Sequence, residues 1–275
     1  MAKPALTRAD VDAVQWYHTM ELAPGITTPG WFDTRAIAAT FPWPDLTGAR
    51  CLDVGTFEGF WAFEMERRGA AEVLAIDILD PRAWDWPLGS EAGIIDALGA
   101  RKRGGDGFVV AREALGANVE RREMSVYDLD PGEVGTFDLV YLGSLLLHLR
   151  DPVRALERVR SVLRPGGHLM SVDAIDLELT LRHPRLPVCS FDGRGRPWWW
   201  KVNVAAHRRL VESAGFDVVD GPRRFFMPIG AGQVAPRPPL KLLRTAAGRE
   251  ALATHLRGDP HAVLLARRHE LGEQE

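Results

Sequence analysis

The sequence predicts an α/β protein built on a doubly wound, mostly parallel sheet of seven strands. Three observations predict it. Short apolar runs alternate with amphipathic helical patterns along the middle of the chain, the order expected of a parallel sheet. The first run, Arg50-Cys51-Leu52-Asp53-Val54, leads into a tight turn holding Gly55 and Gly59 and then a helix. The second, Val73-Leu74-Ala75-Ile76-Asp77, closes a β-turn-α-β unit of the kind that receives a nucleoside-like ligand at its strand carboxyl ends.

The elements follow in order. Residues 5–20 read as a helix and Thr34–Thr40 as a short second one, with Pro24-Gly25 and Thr28-Pro29-Gly30-Trp31 as loops between. Arg50–Val54 is the first sheet strand, Glu58–Arg68 the first core helix and Glu72–Asp77 the second strand. Residues 78–105 carry Pro81, Trp84, Trp86, Pro87 and several glycines, and read as a long functional loop. A helix over 107–116 precedes strand Val119–Val126, and Phe137–Leu142 is the next strand. Asp151-Pro152 opens a helix with stripe Val153, Leu156, Val159 and Leu163, which Pro165-Gly166-Gly167 ends. His168–Val172 is a strand, 203–215 a helix closed by Gly215, and Phe216–Val219 a strand. A Pro/Gly/Arg-rich excursion with a helix near 238–256 then returns to strand Ala262–Ala266, expected as an antiparallel edge. The domain reading is a helical cap over 1–45 and a main domain over 46–275, with 221–259 as a lid-like insertion.

Composition narrows the class. The chain has 275 residues, 46% apolar and 26% charged, as in ordinary globular proteins. No apolar run is long enough for a membrane helix, and the first residues hold no signal-peptide core. Two cysteines, Cys51 and Cys189, argue for a reducing cytoplasm rather than a disulfide framework. No spacing of a metal site is present, and no metal is expected. The net charge is −3, yet Arg182 to Arg257 holds 14 Lys and Arg against 5 Asp and Glu, a local +9. That stretch reads either as a solvated arginine-rich surface or as a site for an anionic partner.

The turn chemistry selects the ligand. It reads Gly55-Thr56-Phe57-Glu58-Gly59, not the G-x-G-x-x-G of dinucleotide sites. Asp53 and Glu58 beside it disfavour a pyrophosphate and suit a ligand carrying an ammonium and a sulfonium, as S-adenosylmethionine (SAM) does. Asp77 is placed to accept from ribose hydroxyls. These acids argue against an NAD-dependent oxidoreductase.

From Arg50 to Val172 the chain resembles the class I SAM-dependent methyltransferases, through the Asp53 turn, Asp77, Ser125-Val126-Tyr127-Asp128-Leu129, Phe137-Asp138-Leu139-Val140 and Leu163-Arg164-Pro165-Gly166-Gly167. Within them it looks most like the tRNA wobble-uridine (uridine-5-oxyacetic acid) methyltransferase-like group, through Thr28–Trp31, Gly143 to Pro152, Lys201-Val202-Asn203 and His261–Arg267. The resemblance implies a Rossmann-like fold and cofactor contacts from Trp31, Gly55, Asp77, Val126 and Leu142. With Asp53, Thr56, Gly59, Ile78, Ser125 and Gly143 these make up the expected SAM site. The chain departs from that group at the groups that hold the added carboxylate of carboxy-SAM. His18 stands at the lysine position, His261 at the arginine position, and Leu145-Leu146-Leu147 where the tyrosine falls. Phe57 replaces the middle glycine of the turn, and Ser125 the adenine-binding acid. Ordinary SAM is therefore the expected donor.

Methyl transfer from a sulfonium needs a base only where the acceptor must lose a proton. His148, just past the fourth strand, is the first candidate base, or else a polar residue filling the region of Asp151. His18 is the second. Tyr127, Trp199, Trp200 and Phe226 are the expected substrate-pocket residues. Trp198-Trp199-Trp200 cannot all face one core, so at least one is expected to line a pocket or meet solvent. The leading reading is a methyltransferase acting on a hydroxyl, amine or carbon of a small-molecule acceptor. A tRNA wobble-uridine enzyme and a non-catalytic SAM-binding protein are the alternatives. Nucleic acid is the weaker partner, and no membrane partner is expected.

Overall fold

The computed structural model describes residues 6–90, 106–194, 196–234 and 237–269. The first segment holds helix α1 (Arg8–Asp12), the hairpin β1 (Glu21–Ala23) and β2 (Ile26–Thr27), and α2 (Arg35–Ala38). The centre runs β3 (Arg50–Val54), α3 (Phe60–Arg67), β4 (Glu72–Asp77), α4 (Gly107–Leu115), β5 (Val119–Glu123), α5 (Pro131–Val134), β6 (Phe137–Gly143), α6 (Pro152–Ser161) and β7 (Leu163–Ala174). Then come α7 (Leu177–Arg182), the hairpin β8 (Cys189–Phe191) and β9 (Trp200–Val202), α8 (Val204–Ser213), β10 (Phe216–Met227), α9 (Ala246–Arg257) and β11 (Asp259–Arg268).

Seven strands form one sheet in the order β10-β11-β7-β6-β3-β4-β5. The five from β5 to β7 are parallel; β11 and β10 are antiparallel to their neighbours. Chain order reverses between β3 and β6, so the ligand crevice lies at the carboxyl ends of those two strands. Side chains alternate across the sheet. Cys51, Val73, Leu139 and Tyr141 pack on one side with α3 and α4, while Leu52, Leu74, Val140 and Leu142 pack on the other with α6 and α8.

The N-terminal segment, described from residue 6, packs into that core. Val11, Trp16, Met20, Leu22 and Phe41 are buried in the same cluster as α3. The helix expected over 5–20 is confined to Arg8–Asp12, opened by a capping box between Thr7 and Asp10. It stops because later backbone groups find tertiary partners: Tyr17 N–H donates to Glu58 (3.0 Å), Thr19 N–H to the Phe32 carbonyl, and Phe32 N–H to the Tyr17 carbonyl.

Other boundaries move for comparable reasons. The strand expected to reach Val126 ends at Glu123, because the Ser125 side chain caps a 3-10 turn over Val126–Asp128. Leu163 to Gly167 open β7 across a register shift against β6 instead of ending α6. The strand expected over Phe216–Val219 runs on to Met227, so the excursion begins as sheet. β11 is antiparallel as expected but interior, buried between β7 and β10, and β10 is the edge. The expected loop over 78–105 is described as far as residue 90, where Trp84 and Trp86 stack; residues 91–105 lie outside the described residues. After β10 the chain is knit to the N-terminal segment: Asp33 N–H donates to the Pro228 carbonyl, and Gly230 and Gly232 N–H to those of Trp31 and Gly30.

Candidate active site

The turn after β3 is built by its own hydrogen bonds. Gly55 and Thr56 N–H both donate to the Ile76 carbonyl, at 2.9 and 3.1 Å. Thr56 Oγ1 donates to Asp53 Oδ2 at 2.6 Å. Gly59 sits at φ 88° as the N-cap of α3, where a Cβ would lie 2.7 Å from the Phe63 ring, so glycine is required. Phe57 holds φ 51°, and its N–H donates to Asp77 Oδ2 at 2.9 Å, locking the turn to the end of β4.

Above this turn opens a cavity of about 870 Å³. Its rim collects the carboxyl ends of four strands: Gly55 after β3, Asp77 and Ile78 at β4, Ser125, Val126 and Tyr127 after β5, and Gly143, Ser144 and Leu145 at β6. Tyr17, His18 and Trp31 reach it from the N-terminal segment, Trp84 and Asp85 from the loop after β4, and Met227 from the end of β10. Tyr17 stacks on Phe57, and Trp84 meets it edge-on, so much of the wall is aromatic.

Of the residues expected at the site, the structure brings Trp31, Gly55, Asp77, Ile78, Ser125, Val126, Gly143, Tyr127, His18 and His148 to this cavity. It does not bring seven others. Asp53 and Thr56 are buried beneath the turn and bond each other. Burial pushes the Asp53 carboxyl up to about 7, with the Thr56 hydrogen bond opposing and the Asp77 charge adding to it. Gly59 supports α3. Leu142 is fully buried on the far side of the sheet, as strand alternation after Tyr141 requires. Phe226 points away from the cavity side that Met227 shares, under the Arg257 guanidinium at 5.7 Å. Trp199 and Trp200 stand behind the wall: Trp199 Nε1 donates to the Asp85 carbonyl at 2.6 Å, and Trp200 Nε1 to that of Leu149 at 3.2 Å.

Glu58 also differs from its expected place near the ligand. It turns toward the N-terminal segment, where Oε1 accepts from Tyr17 N–H and Oε2 lies 3.2 Å from His18 Nδ1. The carboxylates at the cavity wall are Asp77, Asp85 and Asp151. A carboxylate only accepts, so His18 Nδ1 is the donor in this pair. His148 Nδ1 donates to the Pro197 carbonyl at 2.5 Å. Burial holds the His148 imidazole below its ordinary pKa, against the Pro197 bond, which raises it. Tyr127 is not free: its OH donates to Asp85 Oδ2 (3.1 Å) and accepts from Asp151 N–H (3.0 Å), and burial pushes it up to about 12. Sequence reading missed Asp85 and Ser144; Met227 belongs to the Phe225-Phe226-Met227 run, which reads as either a pocket wall or lid core, and of the three it alone lines the cavity. Among the described residues no group of three or more metal-ligating side chains is present.

A family model described as a methyltransferase domain matches residues 31–220. The chain belongs to this methyltransferase domain family. The matched span contains the turn, Asp77, Tyr127, Ser144 and His148, and leaves out His18, Met227 and His261. A ubiquinone biosynthesis O-methyltransferase from Acinetobacter baumannii (strain AYE) is 29% identical over 139 residues, 50% of this chain and 46% of that protein. The match thus spans less than half the length of that relative. Among solved structures, a Burkholderia thailandensis 1,6-didemethyltoxoflavin-N1-methyltransferase with bound 1,6-didemethyltoxoflavin and S-adenosylhomocysteine is 18% identical with a TM-score of 0.50, covering 82% of this chain and 72% of its own. The cyclase SpnF is 17% identical with the same TM-score of 0.50, covering 86% of this chain and 79% of its own. These two likenesses show the fold, which also carries chemistry other than methyl transfer.

Proposed function

We propose that this methyltransferase domain binds SAM at the Gly55–Gly59 turn and moves its methyl group to a hydroxyl, amine or carbon of a small molecule. One observation carries the reading: the glycine turn opens under an aromatic-walled cavity with the Asp77 carboxylate at its rim. The residues fit the group. Aromatic faces of Tyr17, Trp31, Phe57 and Trp84 suit an adenine or a sulfonium, by stacking and cation–π attraction. Gly55 leaves backbone room, and Asp77 would hold the ribose hydroxyls. Val126, Ile78 and Ser125 would flank the adenine. When bound, SAM supplies an electrophilic methyl on a charged sulfur. The chain's own part is to hold the acceptor in line with that carbon and exclude water, the source of much of the rate gain. His18 and His148 line the space the acceptor would occupy, and Tyr127 closes the wall with Asp85.

An oxygen acceptor is supported by the likeness to the Acinetobacter O-methyltransferase. In the same reading residues 46–275 are the SAM-binding domain, and residues 1–45 cover the cavity with part of 221–259. A cytoplasmic setting goes with it, supported by free cysteines at 51 and 189. Among the described residues no helix is long and apolar enough to cross a membrane.

The wobble-uridine reading draws on the basic stretch over 182–257, part of which is engaged in ion pairs within the chain. Arg182 and Arg249 pair with Glu178, Lys201 with Glu250, Arg208 and Arg209 with Glu212, and Arg223 with Asp220. Titration calorimetry with SAM, S-adenosylhomocysteine (SAH) and NAD tests the cofactor reading, with binding expected for the first two. Tight NAD binding would sink it. Methyl transfer into a metabolite extract, with none into tRNA, separates the small-molecule enzyme from the tRNA enzyme and from a non-catalytic binder.

A further inference from the structure

We infer that Ser144, His261 and Asp259 form a proton relay leading from the cavity to solvent, and that it takes the proton of a hydroxyl acceptor. The inference rests on the methyl-transfer reading above and names the acceptor atom as an oxygen that arrives protonated.

Ser144 follows Gly143 at the end of β6 and lines the cavity. Its neighbour Leu145 lies beside the cofactor turn: a Cβ added to Gly55 would meet the Leu145 side chain at 3.5 Å. Ser144 also holds φ 51°. Among the described residues only Phe57 and Ser144 combine a side chain with positive φ, and both line this cavity. Such strain is kept where the surroundings over-determine a position, commonly at functional sites.

Behind Ser144 stands an imidazole that bonds a backbone carbonyl and has a carboxylate beside it. Ser144 Oγ lies 3.1 Å from His261 Nε2. His261 Nδ1 lies 3.1 Å from the Asp259 carbonyl oxygen and 3.4 Å from Asp259 Oδ2. Both oxygens accept, so Nδ1 carries the hydrogen and Nε2 the lone pair. Ser144 O–H therefore donates inward and turns its own lone pairs to the cavity. His261 is 3% exposed, but the Asp259 side chain is 28% exposed, so the chain has an exit. The two other cavity imidazoles lack one. His18 ends on Glu58, and that pair is only 7% and 9% exposed. His148 Nδ1 also ends on a backbone carbonyl, and among the described residues no ion pair sets a carboxylate beside it as Asp259 stands beside His261.

The step balances. The acceptor oxygen forms its bond to the methyl carbon of the sulfonium donor as the carbon–sulfur electron pair passes to sulfur. The hydroxyl proton passes to Ser144 Oγ while Ser144's own proton passes to His261 Nε2. Ser144 is left a neutral hydroxyl, and the imidazolium beside Asp259 gives one proton to water. The charged and titratable groups around His261 are Asp259, Lys201 of β9 with its partner Glu250, and His207 of α8, while β10 contributes the Phe225 ring. Burial, helped by Lys201 and opposed by Asp259, holds His261 below its ordinary pKa, so it stands ready to accept at neutral pH.

The test uses the full chain, SAM and catechol as the probe acceptor, from about pH 5 to pH 9. Ser144→Gly removes the hydroxyl without strain, since glycine adopts positive φ freely. Ser144→Gly and His261→Gln should each lower kcat by about 100-fold and erase the acid limb of the pH profile. SAH affinity by calorimetry should stay unchanged in both, showing that the fold and the cofactor turn survive. Histidine nitrogen NMR of the SAH complex gives a readout apart from turnover. Catechol should shift the His261 Nε2 resonance in the unaltered protein and not in Ser144→Gly. If Ser144→Gly keeps its kcat and pH profile, or if His18→Gln or His148→Gln alone erases the limb, the relay is wrong. A protein that binds SAM yet transfers nothing to catechol in any form overturns the hydroxyl-acceptor reading itself, and the relay with it.

Discussion

Asp53, Asp77 and Asp173 all sit near the carboxyl ends of sheet strands, and their surroundings give them different work. Asp77 is at the rim with one oxygen accepting from the Phe57 N–H. Asp77→Ala should cost SAM about 1–3 kcal/mol of affinity by calorimetry, the loss of hydrogen bonds to a charged acceptor. Asp53 and Asp173 are fully buried, and burial pushes each carboxyl up to about 7. Asp173 accepts from the Ala174 N–H, and its Oδ2 has no partner; the backbone of Leu146 and Leu147, in the turn that carries His148, opposes the rise. The sign follows from linkage. A folded-state pKa above the unfolded value of about 3.9 means the folded state keeps protons that the unfolded chain releases. Stability should therefore fall as pH rises from about 4 to about 7, by up to about 1.4 kcal/mol per pH unit for each group. Asp173→Asn should flatten that slope in urea unfolding at about pH 5, 6 and 7. An unchanged slope would show that Asp173 stays ionised.

At the scale of elements, the cover of the cavity is stitched from two distant segments. Gly30, Gly230 and Gly232 let their backbones approach: a Cβ on Gly230 would lie 2.3 Å from the Gly30 carbonyl oxygen, and one on Gly30 2.2 Å from the His18 backbone. His18 and Trp31 ride on this stitching, so ligand contacts and cover order are coupled. Hydrogen exchange in 17–33 and 228–232 should slow together when SAH binds. Equal protection with and without SAH would make the cover a fixed part of the fold. Gly230→Ala should speed exchange in both segments and weaken SAH binding, while leaving protection of β3 and β4 as it was.

At the scale of the molecule, we propose that donor choice is set by positions that meet only through the sheet order. His18 lines the cavity from the N-terminal segment, Leu145 from the end of β6, and His261 stands behind Ser144 from β11. In all three places a histidine or a leucine stands where carboxy-SAM would need a fixed cation or a phenol to offset desolvation of its carboxylate. Ordinary SAM should outcompete carboxy-SAM at about pH 8, where a histidine of ordinary pKa is neutral. A preference for carboxy-SAM there would restore the wobble-uridine reaction as the leading one.

The strands Arg50–Val54 and Glu72–Asp77 were legible in the residues to their ends, because a parallel strand buried on both faces is a short apolar run closed by a glycine turn or an acid. The same local code put Gly55 and Asp77 at one site, since a β-turn-α-β unit brings its own ends together, while Val126 came from the family resemblance alone. What lay beyond reach was every pairing between distant segments. The reach of β10, the interior place of β11 and the early end of α1 depend on hydrogen-bond partners elsewhere in the chain. So do the groups that give the cavity its chemistry. His18 and Glu58 stand 40 positions apart, Tyr127 and Asp85 42, and Ser144 and His261 117. Periodicity and turn chemistry act over a few residues and determined the ligand-binding turn. The acceptor side of the cavity was decided by the order in which strands pair and the cover folds back over them, because contact there is a property of the assembled sheet.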